Sequence, residues 1–244
     1  MVVIAILEAD KPLPSVAAVH GSYGDIFQTM FRNALTSRQF ADMQFRCFDV
    51  IDKMEFPASM DGIDAILVTG SRFSAYENYP WLLKMIEFIQ KVYKEYIHVK
   101  LIGICFGHQA IARALGGTVG VNAAGWEIGV ATINVEPGYE SILCDTSRKT
   151  IALQQMHRDV VIKPPADAII IARNEKGIHG LLVPDRVLSL QGHPEFTKEI
   201  EIEIIDSREK SGVFSSVAAS NGRMRAALDY DRYDFARAAI NFIK

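Results

Sequence analysis

The segment Gly103-Ile104-Cys105-Phe106-Gly107-His108-Gln109 sets a cysteine between two glycines, directly after an apolar run over residues 99–104. Far downstream the chain reads Gln191-Gly192-His193-Pro194-Glu195. A thiol, an imidazole and a carboxylate in these settings supply a nucleophile, a base and a group to orient the base. That combination points to cysteine-dependent acyl transfer. Gly-x-Cys-x-Gly between a strand and a helix has the layout of a nucleophile elbow. Its glycines permit a sharp turn, a strained nucleophile backbone and close approach of strand to helix. The turn would lift the sulfur above the carboxyl edge of a sheet, where open α/β folds bind ligands. The helix N-terminus beneath it favours negative charge. The Phe106 N–H is placed to donate to a developing oxyanion.

On its own the elbow reads equally well as a buried structural cysteine. The downstream segment decides between the two. His193 and Glu195 are two residues apart, so an extended backbone faces both the same way, and Pro194 biases His193 toward that backbone. Glu195 would then hold one imidazole tautomer and stabilise its charged form. Gly192 is expected to permit a close approach to the elbow. Cys47 alternates with Phe45 and Met43 and reads as core. Cys144 lies near a turn and shows no partner pattern. His20, His98 and His179 are isolated, and His108 lies on the elbow helix. These spacings predict no metal site, and no nucleotide-binding glycine motif suggests a cofactor.

The elements that must position these residues follow from the apolar periods. Residues 2–7, 43–50, 65–69 and 99–104 read as strands. Ile26, Phe27, Met30, Phe31, Ala34 and Leu35 make a helical stripe, and a stronger one runs from Trp81 to Tyr96. A further helix is expected over about 108–115, stopped by Gly116-Gly117. Strand followed by helix, repeated, implies parallel strands with crossover helices. In the middle, residues 130–135 and 168–172 read as strands, and 181–183 and 187–190 flank a hairpin turn at Pro184-Asp185. Residues 197–209 and 223–243 look helical, and 211–222, small and polar, look like a loop. The expected fold is a single-domain α/β protein over 1–244. Its core, about 1–210, would hold a mostly parallel twisted sheet flanked by helices, with a small antiparallel section, and 211–244 would be a C-terminal extension.

Composition narrows the setting. The 244 residues show no internal repeat and no long linker, which favours one domain. A formal charge of −3 without a Lys/Arg block argues against nucleic acid and anionic membranes as partners. Three cysteines at irregular positions do not make a disulfide framework, so a reducing, cytoplasmic setting is expected. The first residues lack a basic leader and read as a buried strand. No apolar run is long enough to span a bilayer.

Taken together, the elbow and Gly192-His193-Pro194-Glu195 resemble the class I (triad-type) glutamine amidotransferase family, whose fold is a mostly parallel, flavodoxin-like sheet flanked by helices. The resemblance covers most of the chain. It implies a nucleophile at Cys105, a general base and acid at His193, and an orienting carboxylate at Glu195. The family's oxyanion loop corresponds to Thr69-Gly70-Ser71-Arg72, so backbone N–H groups at Gly70 and Ser71 are expected to act with that of Phe106. Gln109 matches a substrate-contacting position, and Met156-His157-Arg158-Asp159 falls where a family loop holds the substrate's α-amino and α-carboxylate groups. Gln109 has a second reading as a helix-start residue, and His157 as a structural histidine. Gly70-Ser71-Arg72 and His157-Arg158 depart from the synthetase-linked pattern. They look closer to a stand-alone, GMP-synthase-like branch that includes γ-glutamyl peptidases.

The implied reaction is hydrolysis of a γ-glutamyl amide, glutamine to glutamate and ammonia, through a cysteine γ-glutamyl thioester. Ammonia would need a separate acceptor enzyme as partner, since the chain has no room for a synthetase domain. The alternative is a γ-glutamyl peptidase acting on glutathione or its conjugates. A third, of another class, is a catalytically silent binding subunit. The intact Cys105, His193 and Glu195 weigh against silence.

Overall fold

The computed structural model describes residues 1–144 and 147–244. From the N-terminus, β1 (Val2–Glu8) leads through α1 (Pro14–His20), α2 (Tyr23–Ala34) and α3 (Ser37–Ala41) to β2 (Met43–Asp49) and β3 (Ala65–Val68). Next come α4 (Pro80–Glu95), β4 (Lys100–Ile104) and α5 (Phe106–Ala114). The middle section carries β5 (Thr118–Val121), β6 (Glu127–Val135), α6 (Glu140–Leu143), β7 (Thr150–His157), β8 (Asp159–Lys163), β9 (Ile169–Asn174), β10 (Gly177–Val183) and β11 (Val187–Leu190). Helices α7 (Lys198–Lys210), α8 (Ser216–Ala226) and α9 (Asp234–Ile243) close the chain.

Nine strands form one sheet in the order β2-β1-β3-β4-β11-β10-β9-β6-β7. The first five run parallel to one another. From β11 onward the pairing is antiparallel, and β5 with β8 makes a separate antiparallel pair. This is the expected mixed sheet flanked by helices. The hairpin at Pro184-Asp185 is present, with Asp185 in the left-handed region at φ 58°. In β1, Val3, Ala5 and Leu7 join one apolar cluster with α4 and α5. Ile4 and Ile6 join a second with α2 and α9. A strand buried on both faces reads as an unbroken apolar run, which is why β1 was legible. A third cluster lies under α7 and α8, around Tyr23, Phe196, Ile205 and Phe214.

Several elements differ from the sequence reading. Helix α5 begins at Phe106, two residues earlier than expected, because it grows straight out of the elbow. Strands β5, β7 and β8 were not anticipated. In β7, Gln154 and Gln155 interrupt the apolar period yet are buried; Gln154 Nε2 donates to Ala226 O at 3.0 Å. Residues 216–222 are helix rather than loop. The Ser215 hydroxyl caps α8 by accepting from Ala218 N at 3.2 Å. The small residues Ala219, Gly222 and Ala226 are the packing face, with Gly222 lying over Ile128 of β6. The expected helix over 223–243 is broken, because Asp231 pairs with the edge of β7: its N–H donates to Ala152 O at 2.7 Å and its carboxylate accepts from Ala152 N at 2.8 Å. Cys47 is not core: β2 is an edge strand and Cys47 is exposed. Among the described residues, no helix is long and apolar enough to cross a membrane.

Candidate active site

Cys105 stands at the junction of β4 and α5 with φ 52° and ψ −105°, a conformation that costs a non-glycine residue about 1–3 kcal/mol. Two hydrogen bonds and two close backbone approaches enforce it. Cys105 N donates to Leu190 O of β11 at 2.8 Å, and Cys105 O accepts from Gln109 N at 3.1 Å. A Cβ at Gly103 would come within 2.6 Å of the Gly107 carbonyl, and one at Gly107 would collide with Val68 O. The two glycines thus let β4, α5 and β3 meet at backbone contact, as the elbow requires.

His193 reaches the thiol from the far end of β11. Its N–H donates to Gln154 O at 2.8 Å, which ties the segment to β7. Its ring stacks on Phe196 at 3.9 Å, 9° from parallel. Nδ1 lies 2.8 Å from Glu195 Oε1, and both side chains are buried. Gly70 closes the other side: a Cβ there would stand 2.7 Å from His193 Cε1. Gly192 does something other than expected. It approaches Gln155 and Leu153 of β7 rather than the elbow. The C-terminal segment braces the same stretch, with Tyr230 Oη donating to Phe196 O at 3.0 Å.

The electrostatics favour a charged imidazole at His193. Burial works to lower the His193 pKa, but the charges of Cys105 and Glu195, and hydrogen bonds with both, raise it well above the ordinary imidazole value. Both neighbours thus favour the charged form of the imidazole.

The loop after β3 is pinned on both sides of Gly70 and Ser71. Thr69 Oγ1 accepts from Ala9 N at 2.9 Å. Arg72 N donates to Asp10 Oδ2 at 2.7 Å, and Phe73 N donates to Ser71 Oγ at 3.2 Å. Gly70 and Ser71 line a cavity of about 380 Å³ together with His193. Phe106 and Cys105 line an adjoining cavity of about 160 Å³, which Ser71 also borders.

The four expected substrate residues all border the smaller cavity. Gln109 does so from α5, and the other three from a strand end, a bend and a strand start rather than from a loop: His157 ends β7, and Asp159 begins β8. Gln109 Nε2 donates to Asp159 O at 2.7 Å and to Gln191 Oε1 at 2.9 Å, so it locks α5 to β8. Asp159 Oδ2 accepts from Ser74 Oγ at 2.6 Å, while its buried Oδ1 has no hydrogen-bond partner. Arg158 is half exposed. His157 Nε2 lies 3.0 Å from Glu127 Oε2, which is 3.2 Å from His179 Nε2. Burial works to raise the Glu127 pKa, but bonds from the two histidines hold it well below the usual carboxylate range. These three residues have the proximity of a metal-ligand set, and sequence spacing could not show it because they come from β6, β7 and β10.

Other cavity residues also escaped sequence reasoning. Asp10, Tyr23 and Phe196 line the larger cavity, Trp126 lines the smaller, and Arg208 borders both. Glu201, on α7, is fully buried and pushed up to about 7 by that burial. None of these carries a local motif. Arg208 and Glu201 read as ordinary helix charges until α7 is laid across the site.

Comparison with known proteins bears on the family and the fold. The model of the family described as glutamine amidotransferase class-I matches residues 23–206. Gamma-glutamyl peptidase 2 of Arabidopsis thaliana is 32% identical over 84% of this chain and 81% of its own length. A glutamine amidotransferase-like protein of Schizosaccharomyces pombe is 28% identical over 98% of both chains. The crystal structure of a glutamine amidotransferase from Thermotoga maritima superposes with a TM-score of 0.74 at 18% identity, covering 100% of this chain and 98% of that one.

Proposed function

The chain belongs to the class-I glutamine amidotransferase family, and on that premise we propose that it hydrolyses γ-glutamyl amide bonds through a thioester on Cys105. The observation that carries this is the convergence of Cys105, His193 and Glu195 beneath the pinned loop at Gly70 and Ser71.

The thiolate attacks the γ-carbonyl carbon and a C–S bond forms. The carbonyl oxygen takes the negative charge and accepts from the Phe106 N–H and one N–H of the Gly70-Ser71 loop. Losing one such donor typically costs about 100-fold or more in rate. The tetrahedral species collapses as His193 gives its proton to the leaving nitrogen and the C–N bond breaks. Water then enters, His193 takes a proton from it, and the C–S bond breaks to release glutamate. Glu195 keeps His193 Nδ1 engaged throughout. The glutamyl group sits in the smaller cavity, where Asp159, whose Oδ1 accepts no hydrogen bond and lies 3.9 Å from Arg158 Nε, suits an α-ammonium and Arg158 an α-carboxylate.

The larger cavity favours a peptide over glutamine as substrate. It lies on the His193 side, where the leaving group must receive its proton, and ammonia alone would leave most of its roughly 380 Å³ unused. The relatives named gamma-glutamyl peptidases point the same way. The test is a release assay with glutamine, γ-glutamyl dipeptides and glutathione. Amine release from the peptides, abolished in Cys105→Ala, is the expected result. Ammonia release from glutamine alone would return the enzyme to a partner-dependent glutaminase. Inactivity on all three, or full activity in Cys105→Ala, would end the proposal.

A further inference from the structure

Helix α7 ends over the site, and its last turn delivers a guanidinium to the seam between the two cavities. The Arg208 group is held by aromatic rings. Its Cζ lies 4.8 Å from the Trp126 ring centre and 5.8 Å from that of Phe214, and the two rings meet edge to face at 5.0 Å. The backbone fixes this clamp. The chain turns back after α7, so that Val213 N and Phe214 N both donate to Arg208 O, at 2.9 and 3.2 Å. Rings on a guanidinium hold it in place without neutralising its charge.

Charge is what the position lacks. Among the described residues Arg208 makes no ion pair and no side-chain hydrogen bond. The other cations of the larger cavity are already engaged: Lys11 by Asp49 and Asp52, Arg72 by Asp10. Glu201 is not available either. Its Oε1 accepts from Gly129 N at 3.0 Å, and burial raises it to about 7. A half-buried arginine with its place fixed, in the field of Cys105 and Asp10 but in bonding contact with no carboxylate, is a site for an anion, and a planar fork suits a carboxylate.

Resting on the γ-glutamyl hydrolase reading above, we propose that Arg208, clamped by Trp126 and Phe214, is the specificity residue that binds a carboxylate on the leaving amine. The preferred substrate class is then a γ-glutamyl peptide whose leaving portion ends in a free carboxylate. Three features assign the carboxylate to the leaving side. His193, the proton donor, lines the larger cavity with Arg208. The smaller cavity has its own arginine, Arg158, for the glutamyl carboxylate. The apolar wall of the larger cavity, Leu13, Tyr23, Phe196 and Ile204, suits the stem of an amino-acid residue between the scissile nitrogen and its terminal charge.

The test compares a γ-glutamyl dipeptide with its C-terminal amide, which differ only in the charge at issue and share the glutamyl end. Wild-type protein is expected to favour the acid by about 10- to 100-fold in kcat/KM, the range for a hydrogen bond to a charged group. In Arg208→Met that preference should fall to within about twofold, because only interactions with that charge are removed. Arg208→Lys, which keeps the charge, should retain part of it. Equal losses on acid and amide in Arg208→Met would mean that the residue serves the glutamyl end or the thiolate, and would overturn the assignment. So would a wild-type protein indifferent to amidation. If no γ-glutamyl compound is turned over, the hydrolase reading itself fails and takes this one with it. Turnover that ignores the carboxylate sinks this one alone.

Discussion

At the residue scale the site depends on what holds the proton of one buried imidazole. His193 lies between a sulfur and a carboxylate, in a place where burial alone would strip its proton. Its raised value means that the ion pair adds stability fully below the ordinary imidazole value near 6.5, and that this is lost as pH rises through the raised one. Removing the sulfur's charge should therefore lower the titration midpoint of His193. In Cys105→Ser, nitrogen-detected NMR titration of the ring should give a midpoint below that of wild type. The dependence of thermal stability on pH above neutrality should flatten in the same variant. Identical midpoints in the two proteins would show that no thiolate–imidazolium pair exists at rest.

At the element scale the site is a meeting of strand ends. β3 leads into the Gly70-Ser71 loop, β4 ends at Cys105, β11 leads to His193, and β7 holds His193 in place through Gln154. The tightest point is Gly107, whose missing side chain lets α5 lie on the Val68 carbonyl. Backbone cannot move aside as a side-chain tip can. Gly107→Ala should therefore cost stability at the upper end of the roughly 1–3 kcal/mol typical of overpacking. It should also depress activity under conditions where the protein is still folded, because β3 would shift with the loop it carries. Urea melts and rate measurements on the same samples check this. Unchanged values for both would mean that the β3–α5 contact is looser than described.

At the scale of the whole molecule, the C-terminal segment is part of the working body. α9 seals one face of the sheet, with Phe235 2% exposed among Phe27, Phe31 and Ile240. α8 covers β6, and the intervening chain holds β7 and Phe196. Phe235→Ala should lower the unfolding free energy by about 3–5 kcal/mol, with an unchanged denaturant slope. A loss below about 1 kcal/mol would mean that α9 is not docked as a core element.

The sequence by itself determined the elbow, the His193–Glu195 pair, the parallel half of the sheet and the family. These were legible because each is local. A glycine pattern, an i, i+2 spacing or an unbroken apolar run has its physical cause within a few residues. The tertiary structure decided the rest. β7 was hidden because the buried amide of Gln154 finds its partner far along the chain, at Ala226 O. α8 was hidden because small residues that look like a loop become a packing face once β6 lies beneath them. Asp10, Arg208 and the Glu127–His157–His179 group carry charges whose meaning depends on what folding sets beside them. Long-range contacts leave no period in a sequence, so the pairing of Cys105 with His193 and Glu195 could be expected from the residues while the shape of the cavities around them could not.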